Sequence, residues 1–229
     1  MGSTVEFASN GSTAGGYLAV PESGRGPGLI VIQEWWGLNP QIKRMADRFA
    51  AAGFVALAPD LYHGELAGHD EMDKAGHLMS SLPADRAGRD MSGAVDYLAG
   101  LDETTGQGIG VVGFCMGGLL SFVLASLRPD QIKAAVPFYG FPQGDGQPDY
   151  SKIEAKIWGH MASPDDYFTP EAAKALEAQL QGLGKDVSIE VHQAGHAFMN
   201  EDNPMGTYDE ALATDLFPRV CSFFQANLG

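Results

Sequence analysis

Apolar runs separated by amphipathic stretches constrain this chain more than any other feature of its sequence. Residues 29–32, 54–58, 109–114 and 134–139 are runs nearly free of polar side chains, the pattern of strands covered on both faces. Between them lie helical periodicities. Residues 41–52 place Ile42, Met45, Ala46 and Phe49 on one face and end at Gly53, a natural C-cap. Residues 84–101 repeat Ala87, Met91, Ala94, Val95 and Leu98 at helical spacing, and 116–127 form an apolar helix. Strand 157–160, helix 170–183, strand 187–191 and a helix over about 207–226 continue the alternation. Such alternation implies right-handed crossovers and a doubly wound, mostly parallel sheet, the α/β class. Ahead of it, Asn10-Gly11 between the segments 5–7 and 16–20 predicts an antiparallel β-hairpin. No internal repeat or long linker divides the chain, so a single α/β domain is expected over residues 1–229.

Bulk properties narrow the function. Lys and Arg number 14 against 29 Asp and Glu, a net charge of −15 that repels phosphate backbones and anionic lipid headgroups. Neither nucleic acid nor a membrane is an expected partner. Residues 1–8 carry neither a basic region nor a long apolar run, and nowhere do about 18 apolar residues follow one another, so a soluble cytoplasmic chain is expected, monomeric or a small homo-oligomer. Only two cysteines occur, Cys115 and Cys221, too few for a disulfide framework and without the clustered histidines of a zinc site. No cofactor and no metal are expected.

The segment Gly113-Phe114-Cys115-Met116-Gly117-Gly118 sits where a buried strand meets a helix. A nucleophile elbow needs that context, with glycines two before and two after the nucleophile so that a strained turn can pack tightly. The helix N-terminus beneath Cys115 offers free amides and partial positive charge, which favour a thiolate and can bind an oxyanion. A buried, inert cysteine beside a packing turn is the bland alternative.

His196, in Gly195-His196-Ala197-Phe198, follows the last predicted strand, where a short loop can return an imidazole over the elbow. His192 stands four residues earlier, but Gly195 argues against a helix that would turn the two into a metal pair. Asp165 and Asp166 fall in the loop after the penultimate strand, giving nucleophile, acid and base in chain order; either carboxylate could serve. Gln33-Glu34-Trp35-Trp36-Gly37 leaves the first buried strand where a second oxyanion-hole amide is supplied. Glu34 there would disfavour a neighbouring thiolate by like-charge repulsion. Trp35 and Trp36 lie where a pocket wall belongs.

Taken together, Gln33-Glu34, Pro59-Asp60-Leu61-Tyr62, the Cys115 elbow, Asp165 and Ala194-Gly195-His196-Ala197-Phe198 resemble the dienelactone hydrolase family over nearly the whole length. The resemblance implies an α/β-hydrolase acting on a small ester or lactone through an acyl-cysteine, with Cys115, Asp165 and His196 as triad. It prefers Asp165 to Asp166, because Asp165-Asp166-Tyr167-Phe168 follows the family's spacing. Amides of Trp35 and Met116 would form the oxyanion hole, and Glu34 would hold the resting thiol until substrate displaces it. Trp36, Phe198 and Asn200 are then candidate substrate contacts. Family members acting on dienelactone hold its carboxylate with arginines, one of them four residues after the catalytic histidine; here that residue is Asn200. Two readings stay beside this one: a broader carboxylesterase or thioesterase for uncharged short acyl groups, and a thiol sensor that keeps the elbow without turnover.

Overall fold

A computed structural model describes residues 2–229; Met1 lies outside them. An eight-stranded sheet runs in the order β1-β2-β4-β3-β5-β6-β7-β8. The strands are β1 (Ser3–Ser9), β2 (Ser12–Ala19), β3 (Gly26–Ile32), β4 (Val55–Pro59), β5 (Thr104–Phe114), β6 (Ile132–Phe138), β7 (Lys156–Ala162) and β8 (Val187–His192). β1 and β2 pair as an antiparallel hairpin, with Asn10 and Gly11 both at positive φ, as the two-residue turn predicted for that dipeptide requires. From β4 to β8 the pairing is parallel.

The helices are α1 (Pro40–Ala51), α2 (Met72–Ser81), α3 (Ala84–Ala99), α4 (Met116–Leu127), α5 (Pro170–Gly182) and α6 (Glu210–Leu228). Asn39 caps α1 by accepting from the Ile42 amide, with Pro40 at the first helical position. Both sheet faces are covered, which is why the central strands are apolar throughout. Ile30, Ile32 and Val111 pack toward α3 and α4, while Leu29, Val31 and Val112 pack toward α1 and α6. The predicted doubly wound sheet and hairpin are the observed architecture. The element absent from the sequence reading is α2, whose burial is confined to Ala75 and Leu78 and leaves no full apolar stripe.

Candidate active site

The sheet's carboxyl edge assembles the site. Cys115 follows the last residue of β5 and precedes the first of α4, with φ +54 and ψ −116, a strained conformation for any residue but glycine. The turn is held by Cys115 N–H donating to the Phe138 carbonyl at 3.1 Å and by its own carbonyl accepting from Gly118 at 2.9 Å. Gly113 and Gly117 are required here: a Cβ on Gly113 would strike the Gly117 carbonyl oxygen, and one on Gly117 the Ile32 carbonyl oxygen.

His196 lies in the loop after β8 and bonds through Nδ1 to Asp165 Oδ2 at 2.7 Å, both groups buried. The other Asp165 oxygen accepts the amides of Tyr167 and Phe168 at 2.8 and 3.1 Å. Three bonds therefore fix the carboxylate that fixes the imidazole. Asp166 is exposed, and the pairing with His196 falls to its neighbour. Thr207 Oγ1 donates to the His196 carbonyl, tying the loop to the segment leading into α6.

Glu34, at the exit of β3, is 1 % exposed and sits between two donors. Tyr139 O–H donates to Oε1 at 3.2 Å, and Asn200 Nδ2 donates to Oε2. Burial pushes the Glu34 carboxyl up to about 7, against the lowering pull of Asn200, His196 and Tyr139. Burial, then the charge of Glu34, also pushes the Cys115 thiol well above its ordinary range; the amides of Met116 and Trp35 act in the opposite sense. The helix N-terminus expected to favour a thiolate is thus outweighed in the resting site.

Tyr62, within the Pro59-Asp60-Leu61-Tyr62 motif, donates its hydroxyl to the Trp35 carbonyl at 3.0 Å and lies 3.4 Å from Met116 Sδ. One buried phenol thus supports the two residues whose amides face the sulfur. In the sequence, Tyr62 has no role beyond its place in that motif, and Tyr139 none beyond the end of an apolar strand.

A cavity of about 510 Å³ opens over the elbow, with Cys115, Met116, Trp35 and His196 in its wall. Three expected contacts with substrate are placed elsewhere. Trp36 turns into the core, 1 % exposed, edge-on to His69. Phe198 is fully buried against Phe138, Tyr139 and His192. Asn200 is fully buried and spent on Glu34, so it does not read substrate in the cavity. The wall is completed by residues the sequence did not single out, among them Met79, Leu82, Leu119, Phe168 and Met205.

His192 is not paired with His196; its Nε2 lies 3.0 Å from His160 Nδ1. With Glu190 these two histidines bring three possible ligand atoms within 4.8 Å, a set the sequence did not suggest. The Glu190 carboxylate is already engaged by Trp158 Nε1 at 2.9 Å and by Arg219 at 3.5 Å. No described helix is long and apolar enough to cross a membrane.

A doubly wound sheet, a cysteine at a strained strand-to-helix elbow and a histidine bonded to a carboxylate at the same edge define an α/β-hydrolase. The chain belongs to the dienelactone hydrolase family, whose sequence model matches residues 14–228. It is 39 % identical to the protein usf of Aquifex pyrophilus, over 100 % of both chains. It is 28 % identical to carboxymethylenebutenolidase 1 of Cupriavidus pinatubonensis, covering 92 % of this chain and 91 % of that one. Among solved structures, a dienelactone-hydrolase-like promiscuous phosphotriesterase from metagenomic libraries superposes with a TM-score of 0.83 at 23 % identity, covering 100 % of this chain and 99 % of that one, a likeness of fold alone.

Proposed function

We propose that this hydrolase cleaves small esters or lactones through an acyl-Cys115 intermediate, with His196 as base then acid and Asp165 as its orienting partner. The observation that carries the reading is the buried 2.7 Å bond between His196 and Asp165, with His196 and the strained Cys115 elbow lining one cavity. The imidazole takes the thiol proton as sulfur adds to the carbonyl carbon. The resulting oxyanion is received by the amides of Trp35 and Met116, which already face the sulfur. Collapse breaks the carbon–oxygen bond, and the imidazolium returns its proton to the leaving alkoxide. Water, deprotonated by His196, then attacks the thioester; the carbon–sulfur bond breaks, the acid leaves, and the imidazolium returns its proton to the Cys115 thiolate.

Glu34 supplies the gate. Burial, and the charge of Glu34 once pH passes its pKa of about 7, hold sulfur in the protonated, unreactive form; a substrate that displaces Glu34 removes the like charge and frees the thiolate to pair with the imidazolium. A resting cysteine so held resists alkylation and oxidation between turnovers. The test is hydrolysis of an activated aryl ester by wild type and Cys115→Ala. Loss of at least about a thousandfold in kcat/KM fits the proposal; unchanged turnover would refute it and return the elbow to a binding or sensing role.

A further inference from the structure

We propose that the preferred substrate carries an uncharged, mostly hydrocarbon acyl group of medium length, and that the cavity rejects an otherwise equal acyl group ending in a carboxylate. The inference rests on the ester-hydrolysis reading above. Among the described residues, the cavity wall bears no lysine or arginine and no acidic group, and His196 is its one basic side chain. The remainder is mostly apolar, with Leu82, Leu119, Leu120, Phe168 and three methionines, and its hydroxyls are those of Ser80 and Tyr167. A cavity of about 510 Å³ holds a ligand well beyond acetyl in size. Met79 and Met205 add side chains that adapt to chain shape.

No permanent cation belongs to the wall itself. Arg86, one residue before the wall residue Ala87, forms no ion pair among the described residues; its one bond, to the Leu61 carbonyl, is 3.5 Å long and its Nε is buried without a partner, but its side chain is not part of the wall. Arg44 is paired with Glu201 and Asp202, and Lys74 with Glu71. Asn200 is turned to Glu34. A substrate carboxylate would lose its hydration to a mostly apolar wall without gaining a lysine or arginine partner, beneath a protein of net charge −15. Each methylene buried instead brings hydrophobic stabilisation, roughly a two- to fourfold gain in kcat/KM per carbon.

The experiment compares p-nitrophenyl acetate, butanoate and hexanoate with the mono-p-nitrophenyl ester of adipic acid, which has the six-carbon hexanoate skeleton with its terminal methyl replaced by a carboxylate, on wild type and Cys115→Ala. Expected is a rise in kcat/KM of about tenfold or more from acetate to hexanoate, with the adipate ester at least about thirtyfold below hexanoate. Met79→Arg, at a position 42 % exposed on the cavity rim, should narrow that gap at least about fivefold by giving the carboxylate a partner. Leu82→Arg is the second variant should the first misfold. An adipate ester within thirtyfold of hexanoate, or acetate as good as hexanoate, overturns the substrate class while leaving hydrolysis through Cys115 intact. Failure to cleave any of these esters, or full turnover by Cys115→Ala, overturns both.

Discussion

Asn200 donates its side-chain amide to the buried carboxylate of Glu34, so the donor that meets this carboxylate is neutral and not a cation. A neutral donor stabilises an ionised carboxylate less than a guanidinium does, and Glu34 is accordingly left near a pKa of about 7. The variant Asn200→Leu should move the Glu34 midpoint upward by about a unit or more, and Asn200→Arg downward. The protonated-carboxyl infrared band followed against pH, with Glu34→Gln as the blank, reads the midpoint. An unmoved midpoint in both variants would deny Asn200 this role.

The same carboxylate sets a pH dependence of stability. Glu34 keeps its proton to about 7 when folded and releases it near 4.5 when unfolded, so the native state binds more protons in that window and stability falls as pH rises through it. By pH 8 the penalty is on the order of 3 kcal/mol. Glu34→Gln lacks it. Urea unfolding should show the variant gaining on wild type by roughly that amount between pH 4 and pH 8; curves that stay parallel would place the ionisation elsewhere.

Tyr62 is a positioning residue. Its hydroxyl fixes the Trp35 carbonyl, and hence the peptide carrying one of the two amides that face Cys115. Tyr62→Phe should lower kcat about ten- to a hundredfold, with KM changed less than about twofold, because the loss falls on the oxyanion and not on the acyl wall. An equal and opposite change in KM, with kcat kept, would make Tyr62 a binding residue.

The two histidines of the last strand and its loop are separated by their partners. His196 bonds Asp165, whereas His192 bonds His160 on the α6 side of the sheet. Steady-state kinetics on both alanine variants should show kcat/KM down by at least about a thousandfold for His196→Ala and by less than about fivefold for His192→Ala. Similar losses at both would remove the distinction.

Much of this was legible in the sequence because strands buried on both faces are apolar on both faces, and because Gly113 and Gly117 flank the cysteine at the spacing an elbow needs. The direction in which loop side chains point was not. Trp36 and Phe198 sit next to candidate site residues yet turn into the core, and Asn200 turns back to Glu34 although the family resemblance implied a substrate contact. Helix α2 escaped notice because only Ala75 and Leu78 are buried, and with it went the wall residue Met79. Tyr139, at φ +36 after β6, reads in sequence as one more aromatic of a strand, though its hydroxyl holds Glu34.

The central claim is that acyl transfer passes through the sulfur of Cys115, and acid-quenched mass spectrometry of the enzyme mixed with an excess of p-nitrophenyl ester tests it most directly. The account predicts one acyl group per chain in the first turnover, localised by proteolysis to the peptide containing Cys115, absent from Cys115→Ala and long-lived in His196→Ala if that variant acylates at all. An acyl group found on another residue, or steady turnover with Cys115 replaced by alanine, would contradict it.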